Sequence, residues 1–305
     1  MIFWLVIQIA STKYQSCVGC DYKVFAKFIE DYAALAVKRV TLREIEKGFT
    51  SMDMGLAGKR ALITGGSKGI GLAAAKGLAE EGVLPIIVSR TAADLERAVQ
   101  SIKQATGVDA DFRAVDLSNG DAARSLVAEF SDIDILVNNA GAIPPGTVEE
   151  VEEPRWREAW DLKVFGYINM TRAVYGNMRR QGHGVIVNVI GAAGVKHSPG
   201  YVAGSVGNAG LIAFTKAVGG VSLRDNIRVC GLNPGLVVTD RMETMLRGTA
   251  SEQYGDPERW QECMPTDPPP SQAEDCADLI VFLASDRAKM ITGTTVNLDG
   301  GATQR

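Results

Sequence analysis

From residue 60 onward, short apolar runs alternate with longer stretches whose apolar residues recur at helical spacing. The runs Ala61-Leu62-Ile63, Leu84–Val88, Ala110–Val115, Ile133–Val137, Val185–Ile190, Ile227–Leu232 and Thr294–Leu298 predict buried strands. The stretches between them predict helices over 92–104, 120–130, 154–181, 203–218 and 271–284, with 154–181 as one long helix. Strands that alternate with helices imply right-handed crossovers. The expected architecture is therefore α/β, a doubly wound parallel sheet flanked by helices in three layers.

The first strand breaks into Thr64-Gly65-Gly66-Ser67-Lys68-Gly69-Ile70-Gly71 and resumes as the helical stretch Leu72-Ala73-Ala74-Ala75-Lys76. Without a Cβ in the way, glycines 65, 69 and 71 let the backbone turn tightly and approach a pyrophosphate. The following helix turns its free N–H groups and positive dipole end toward that anion. A glycine triplet alone is a weak sign, but one set between a strand and a helix points to a dinucleotide.

Composition narrows the class. The chain has 305 residues, a net charge of −4 and 22% charged residues, with no electrostatic case for nucleic acid or an anionic membrane. Its five cysteines (17, 20, 230, 263 and 276) are odd in number and scattered, which fits a reducing, cytoplasmic setting. Cys17 and Cys20 have metal-ligand spacing but no second pair, so no metal is expected. Residues 1–51 stand outside the alternating pattern. Met1–Ala10 is apolar but too short to span a bilayer, and 21–47 is helical in composition. This segment reads as a dispensable arm or a mis-assigned start, with Met52 or Met54 beginning a single domain over 52–305.

The ordered set Thr64–Gly71, Asp116-Leu117, Asn138-Asn139-Ala140-Gly141, Asn233-Pro234-Gly235 with Thr239, and Asp299-Gly300-Gly301 resembles the short-chain dehydrogenase/reductase family. The resemblance runs from about Gly55 to Gly301 and implies a Rossmann fold and a nicotinamide cofactor. It implies that Gly65, Gly69 and Gly71 cradle the pyrophosphate, that Ser67, Lys68 and Ile70 of the same loop also bind the cofactor, and that Asp116 and Leu117 hold the adenine. Asn138 would brace the sheet, Ala140 and Gly141 would lie along the ribose, and Pro234, Gly235 and Thr239 would hold the nicotinamide end. NAD-users place an acid at the end of the second strand. Here that position reads Ser89-Arg90, and Lys68 sits in the loop, so NADP(H) is expected over NAD(H).

The catalytic pattern departs from the family. Its tyrosine and lysine positions are filled by Gly204 and Asn208, its serine position by Gly191 and its asparagine position by Lys163, with Asp161 a rival in a gapped register. Two readings follow. In one the site has decayed and the chain is a catalytically inactive NADP(H) binder, acting as a sensor or scaffold. In the other it is rewired, with Tyr201 as acid/base, Lys163 as its electrostatic partner, Asn208 as a cofactor ligand, and Ser205 or Ser198 holding a carbonyl. The rewired reading predicts an oxidoreductase acting on a carbonyl, or the matching alcohol, of a small and largely apolar substrate. The Met-, Arg- and Trp-containing segment 240–270 is expected to be a substrate lid, where Arg241 and Arg247 are candidates to meet an anion. The resemblance further implies a homodimer or homotetramer, to which Trp156, Trp160, Val164, Tyr167, Ile168 and Thr171 would contribute a helix stripe.

Overall fold

The computed structural model describes residues 52–305. The expectations for Met1–Ala10, for Cys17 and Cys20 and for a helix over 21–47 lie outside the described residues. Seven strands form one parallel sheet among them: β1 (Arg60–Thr64), β2 (Leu84–Ser89), β3 (Asp111–Ala114), β4 (Ile135–Asn138), β5 (Gly184–Val189), β6 (Ile227–Pro234) and β7 (Thr295–Leu298). Their order is β3-β2-β1-β4-β5-β6-β7, so the chain winds outward in both directions from β1 and β4. Ile63 pairs with Ile87 on one side and with Val137 on the other.

Two apolar cores explain why the strands read as continuous hydrophobic runs. Successive side chains point to opposite faces, and both faces are covered. Ala61, Ile63, Ile87 and Val137 pack with α1 (Gly69–Glu80), α2 (Ala92–Thr106) and α8 (Ala273–Ala284). Leu62, Ile86, Val88 and Leu136 pack instead with α3 (Gly120–Glu129) and with α5 (Gly166–Gln181) through Met170, Val174 and Met178. Each fully buried aliphatic side chain contributes roughly 1.5–3 kcal/mol, so these layers supply most of the driving force.

Three differences from the sequence reading bear on the site. The long helix is not uniform: α4 (Glu153–Trp160) and α5 are joined by a wide π turn over Asp161–Phe165. Such a turn adds a residue to the helical repeat and re-aims the side chains it carries. Helix α6 (Val202–Ser222) begins one residue after Tyr201, so Tyr201 is its cap and not a member of its first turn. The segment 240–270 holds a helix of its own, α7 (Asp240–Tyr254), followed by a tighter helical stretch over Pro257–Cys263.

Polar side chains are buried where strands end. Asn138 and Asn188, directly opposite in register, share a 2.9 Å hydrogen bond donated by Asn138 Nδ2. Asn188 Nδ2 donates in turn to Thr215 Oγ1 of α6 at 2.9 Å. Arg228 of β6 is also buried. It donates to three carbonyls around the end of α8: Leu283 O (2.6 Å), Ala284 O (3.2 Å) and Ser285 O (2.9 Å). A guanidinium there satisfies the unpaired carbonyls of the last turn and favours the negative end of the helix dipole. Arg228→Met should lower the unfolding free energy in urea by about 2–4 kcal/mol, because the buried carbonyls lose their donors. A loss below about 1 kcal/mol would show that the α8 terminus does not depend on this residue.

Candidate functional site

The crevice lies at the C-terminal ends of β1 and β4, where the strand order reverses and a ligand can enter between diverging connections. Thr64 and Asn139 shape it. Thr64 Oγ1 accepts from the backbone N–H of Asn139 (2.9 Å) and of Ala140 (3.0 Å). Asn139 Nδ2 donates back to Thr64 O and Gly65 O, both at 3.1 Å. Sequence reasoning had no role for Asn139 or Thr64. Both stood inside recognised motifs, but their mutual bonds needed the fold to bring the two strands together.

The glycine loop fits a dinucleotide. Gly65 and Gly69 have φ of +65° and +51°, a left-handed region that side chains seldom adopt. A Cβ on Gly71 would sit 2.2 Å from Gly65 O, so the helix start can nest into the loop only without one. No side chain caps the N-terminus of α1, which leaves its first N–H groups for an anion. Ser89 Oγ, at the end of β2, is buried without a hydrogen-bond partner in the protein, a polar atom placed for a ligand. Arg90 beside it is exposed, and Lys68 is ion-paired to Asp94 at 3.1 Å. Asp116 is exposed and Leu117 buried. Asp116 accepts from Ser118 N–H at 3.0 Å, a bond that holds its carboxyl below the usual carboxylate range, with a smaller contribution from Arg90.

At the far end of the crevice, Gly235 N–H donates to Leu298 O at 2.9 Å and anchors the turn after Pro234. Thr239 caps α7, accepting from Met242 N–H at 3.3 Å. Its methyl group would lie 3.1 Å from a Cβ on Gly69, so this turn rests against the glycine loop.

Beyond it lies a cluster built from the π turn, α6 and α7. Lys163 turns inward and donates from Nζ to Ile190 O at 2.6 Å, while Asp161 is exposed. Tyr167, four residues on, donates to Val189 O at 2.7 Å and is buried. Protein encloses the Lys163 ammonium, and burial, followed by the nearby Arg241 charge, draws its pKa down to about 7. Arg241, on the first turn of α7, donates to Gly141 O (2.9 Å) and Ile143 O (2.8 Å). Tyr201, with Trp156 and Trp160, packs against the buried cluster Ile143, Ala159 and Ala203. Burial raises the Tyr201 phenol above its ordinary value, and the adjacent Arg241 guanidinium works in the opposite direction. The cation beside this phenol is thus Arg241, whereas Lys163 is directed to the end of β5.

The glycines of this region carry a shared pattern. A Cβ on Gly204 would fall 2.0 Å from Cε1 of Tyr201, so the ring occupies the space a side chain at 204 would need. A Cβ on Gly191 would lie 2.9 Å from Asn208 Nδ2, and one on Gly141 2.7 Å from Lys163 Cδ. Asn208 is buried, and its Oδ1 has no partner in the protein.

Other expected members stand apart. Ser205 is buried, with its Oγ accepting from Ser198 N–H at 3.1 Å, which ties the preceding loop to α6. Arg247 is bound by Glu243 (2.8 Å) and Glu258 (2.5 Å), so it is not the free cation the sequence suggested. Tyr167 and Thr171 face the interior and not an outer stripe. No group of three or more potential metal ligands occurs among the described residues.

Residues 59–249 match the family model described as short chain dehydrogenase. The chain belongs to the short-chain dehydrogenase/reductase family. This family of oxidoreductases has the Rossmann-type sheet described above, and its members bind nicotinamide cofactors. The chain is 31% identical over 250 residues to a 3-oxoacyl-[acyl-carrier-protein] reductase of Chlamydia trachomatis, covering 81% of this chain and 98% of the relative. Among solved structures it is similar to the L-sorbose reductase of Gluconobacter frateurii in complex with NADPH and L-sorbose. The two share 32% identity and a TM-score of 0.77, over 83% of this chain and 100% of that one. An NAD+-bound xylitol dehydrogenase matches with 29% identity and a TM-score of 0.73, over 81% of this chain and 99% of that one.

In this dehydrogenase/reductase the Lys163 ammonium should titrate near neutrality. Because the folded pKa is lowered and the unfolded one is not, the unfolded chain binds more protons between about pH 7 and 10. Stability therefore gains from this group as pH rises through that window. The stability advantage of Lys163→Met over the parent should shrink from pH 7 to pH 10 in denaturant titrations. A constant difference would contradict the burial of the ammonium.

Proposed function

We propose that the chain is an NADP(H)-dependent oxidoreductase that reduces a carbonyl, or oxidises the matching alcohol, on a small substrate held among largely apolar side chains. Tyr201 acts as acid/base, Lys163 and Arg241 supply positive charge, and Asn208 binds the cofactor. The observation that carries this reading is the position of the Tyr201 ring in the space left by Gly204. Two glycines at altered positions each make room for an unusual neighbour, Gly204 for Tyr201 and Gly191 for Asn208, while the Lys163 stem packs against Gly141, which the family motif already has. Decay scatters substitutions, whereas these are matched in space.

The cofactor, when bound, supplies or accepts the hydride at the carbonyl carbon. Burial keeps the Tyr201 phenol protonated at neutral pH, ready to give its proton to the carbonyl oxygen. The Arg241 guanidinium favours the phenolate left behind. Asn208 Oδ1, unpartnered within the protein, is suited to accept a ribose hydroxyl. Preference for NADP(H) rests on the absence of an acid at Ser89-Arg90 and on the cations Arg90 and Lys68. A nucleotide binder without turnover is the second reading. It draws on Lys163 being held by Ile190 O and on the Ser205 hydroxyl being committed to Ser198.

Purified protein mixed with NADPH and a panel of ketones, quinones and acyl thioesters should oxidise the cofactor with at least one of them. Tight NADPH binding with no oxidation by any would favour the second reading. Tyr201→Phe should lower kcat by about 100-fold or more with NADPH affinity unchanged. Turnover that survives this change would remove Tyr201 from the mechanism. Arg90→Ala should weaken NADPH roughly tenfold and NADH little, by fluorescence titration. Equal losses for both cofactors would reverse the assignment.

A further inference from the structure

Among the described residues, Arg241 is the arginine of segment 240–270 that no carboxylate pairs. Arg247 is paired with Glu243 and Glu258, and Arg259 with Glu262. Arg241 instead donates to two backbone carbonyls, Gly141 O at 2.9 Å and Ile143 O at 2.8 Å, and also hydrogen-bonds the Tyr201 side chain. Lys163 is in the same position, since its Nζ meets Ile190 O at 2.6 Å and, among the described residues, no acid. The two cations converge on one residue. Arg241 binds the carbonyl of Gly141, and the Lys163 stem packs where a Cβ on that glycine would fall. Arg241 lies close enough to Lys163 to add, after burial, to the lowering of the Lys163 pKa. Among the described residues no carboxylate pairs with either cation; the Arg241 head is exposed and open to an incoming anion, and Lys163, enclosed behind it beside the acid/base phenol, adds positive charge to that place.

We propose that Arg241, backed by Lys163, binds a carboxylate on the substrate, so that the compound reduced here is a short oxo acid. The inference rests on the reductase reading above. A guanidinium presents a planar fork that matches a carboxylate, and a charge-assisted pair is stronger than its bonds to neutral carbonyls. The cofactor pyrophosphate is the other anion to consider. The Arg241 head, however, lies against residues 141 and 143 and beside Tyr201, while the neighbour of the glycine loop from this segment is Thr239. The carboxylate on Arg241 and the carbonyl at Tyr201 would thus be held by adjacent groups, a spacing that suits 2-oxo and 3-oxo acids.

The test compares 2-oxo and 3-oxo acids with their methyl esters as substrates of the full-length protein with NADPH. The free acids should have kcat/KM at least about tenfold above the esters, and Arg241→Met should raise their KM roughly 10- to 100-fold. The KM for NADPH should change less than about threefold, the ester kcat/KM should fall by less than the free-acid kcat/KM because the esters lose only the Arg241 support of the Tyr201 phenolate, and Arg241→Lys should recover part of the loss. Equal use of acid and ester by the parent would overturn the proposal, as would an Arg241→Met effect confined to the KM for NADPH. Calorimetry with oxamate and malonamate, which cannot be reduced, separates this proposal from the reductase reading. Arg241-dependent binding to the NADP+-loaded protein without turnover of any substrate would keep the anion site and remove the reductase. Turnover of neutral ketones with no binding of either analogue would do the reverse. If Arg241→Met does not fold, the acid-to-ester ratio of the parent decides.

Discussion

The hydroxyl of Thr64 accepts two backbone N–H groups from the strand beside it, and the Asn139 amide returns two bonds to the carbonyls of Thr64 and Gly65. These bonds join β1 and β4, the two strands from which the chain winds in opposite directions. A crevice is geometrically required there, because the connections leaving the two strands diverge to opposite faces of the sheet. The bonds set how the glycine loop stands relative to residues 138–141. Everything that faces the crevice is placed from that reference: the start of α1, the turn at Thr239 and the residues beyond Gly141. The Thr64 and Asn139 bonds lie in a partly buried site, where a hydrogen bond lost without replacement costs more than one at the surface.

Next to this frame, space is the second constraint. A side chain at 204 cannot coexist with the Tyr201 ring, nor one at 191 with the present Asn208 amide, nor one at 141 with the Lys163 stem. Protein interiors are close-packed, so each large group brought in from a new direction needs a neighbour that gives way. Glycine is the smallest neighbour available. Here the Tyr201 ring comes from the cap of α6 and fills the space beside Gly204.

Charge is placed by the same packing. The π turn carries Lys163 inward, and α7 brings Arg241 across to the loop after β4. Backbone carbonyls satisfy the hydrogen bonding of both cations but not their charge. Arg228 shows what a buried cation looks like when its role is structural: its carbonyls belong to a helix terminus whose dipole it complements. The carbonyls of Gly141 and Ile143 end no helix, and the Arg241 side chain that meets them stays exposed to solvent.

Much of this was legible in one dimension. Burial on both faces forces continuous apolar runs, so the strands at Ala61–Ile63 and Leu84–Val88 could be read directly, and their alternation with helices implied the parallel sheet. Glycine spacing likewise marked the cofactor loop, because close backbone approach is a demand placed on residue type. The chemistry beside the loop could not be read in this way. Lys163 was named, but its direction depends on a π turn that no pattern of side chains announces. Tyr201 was named on the assumption of a longer helix, and it reaches the site by folding back over Gly204. Arg241 and Arg247 looked alike in sequence; ion pairs with Glu243 and Glu258 occupy one of them, while the other reaches residues about a hundred positions away. Local periodicity records which face of an element is buried. Which groups meet across the ends of β4, β5 and β6 is a non-local property, settled only when the sheet has closed.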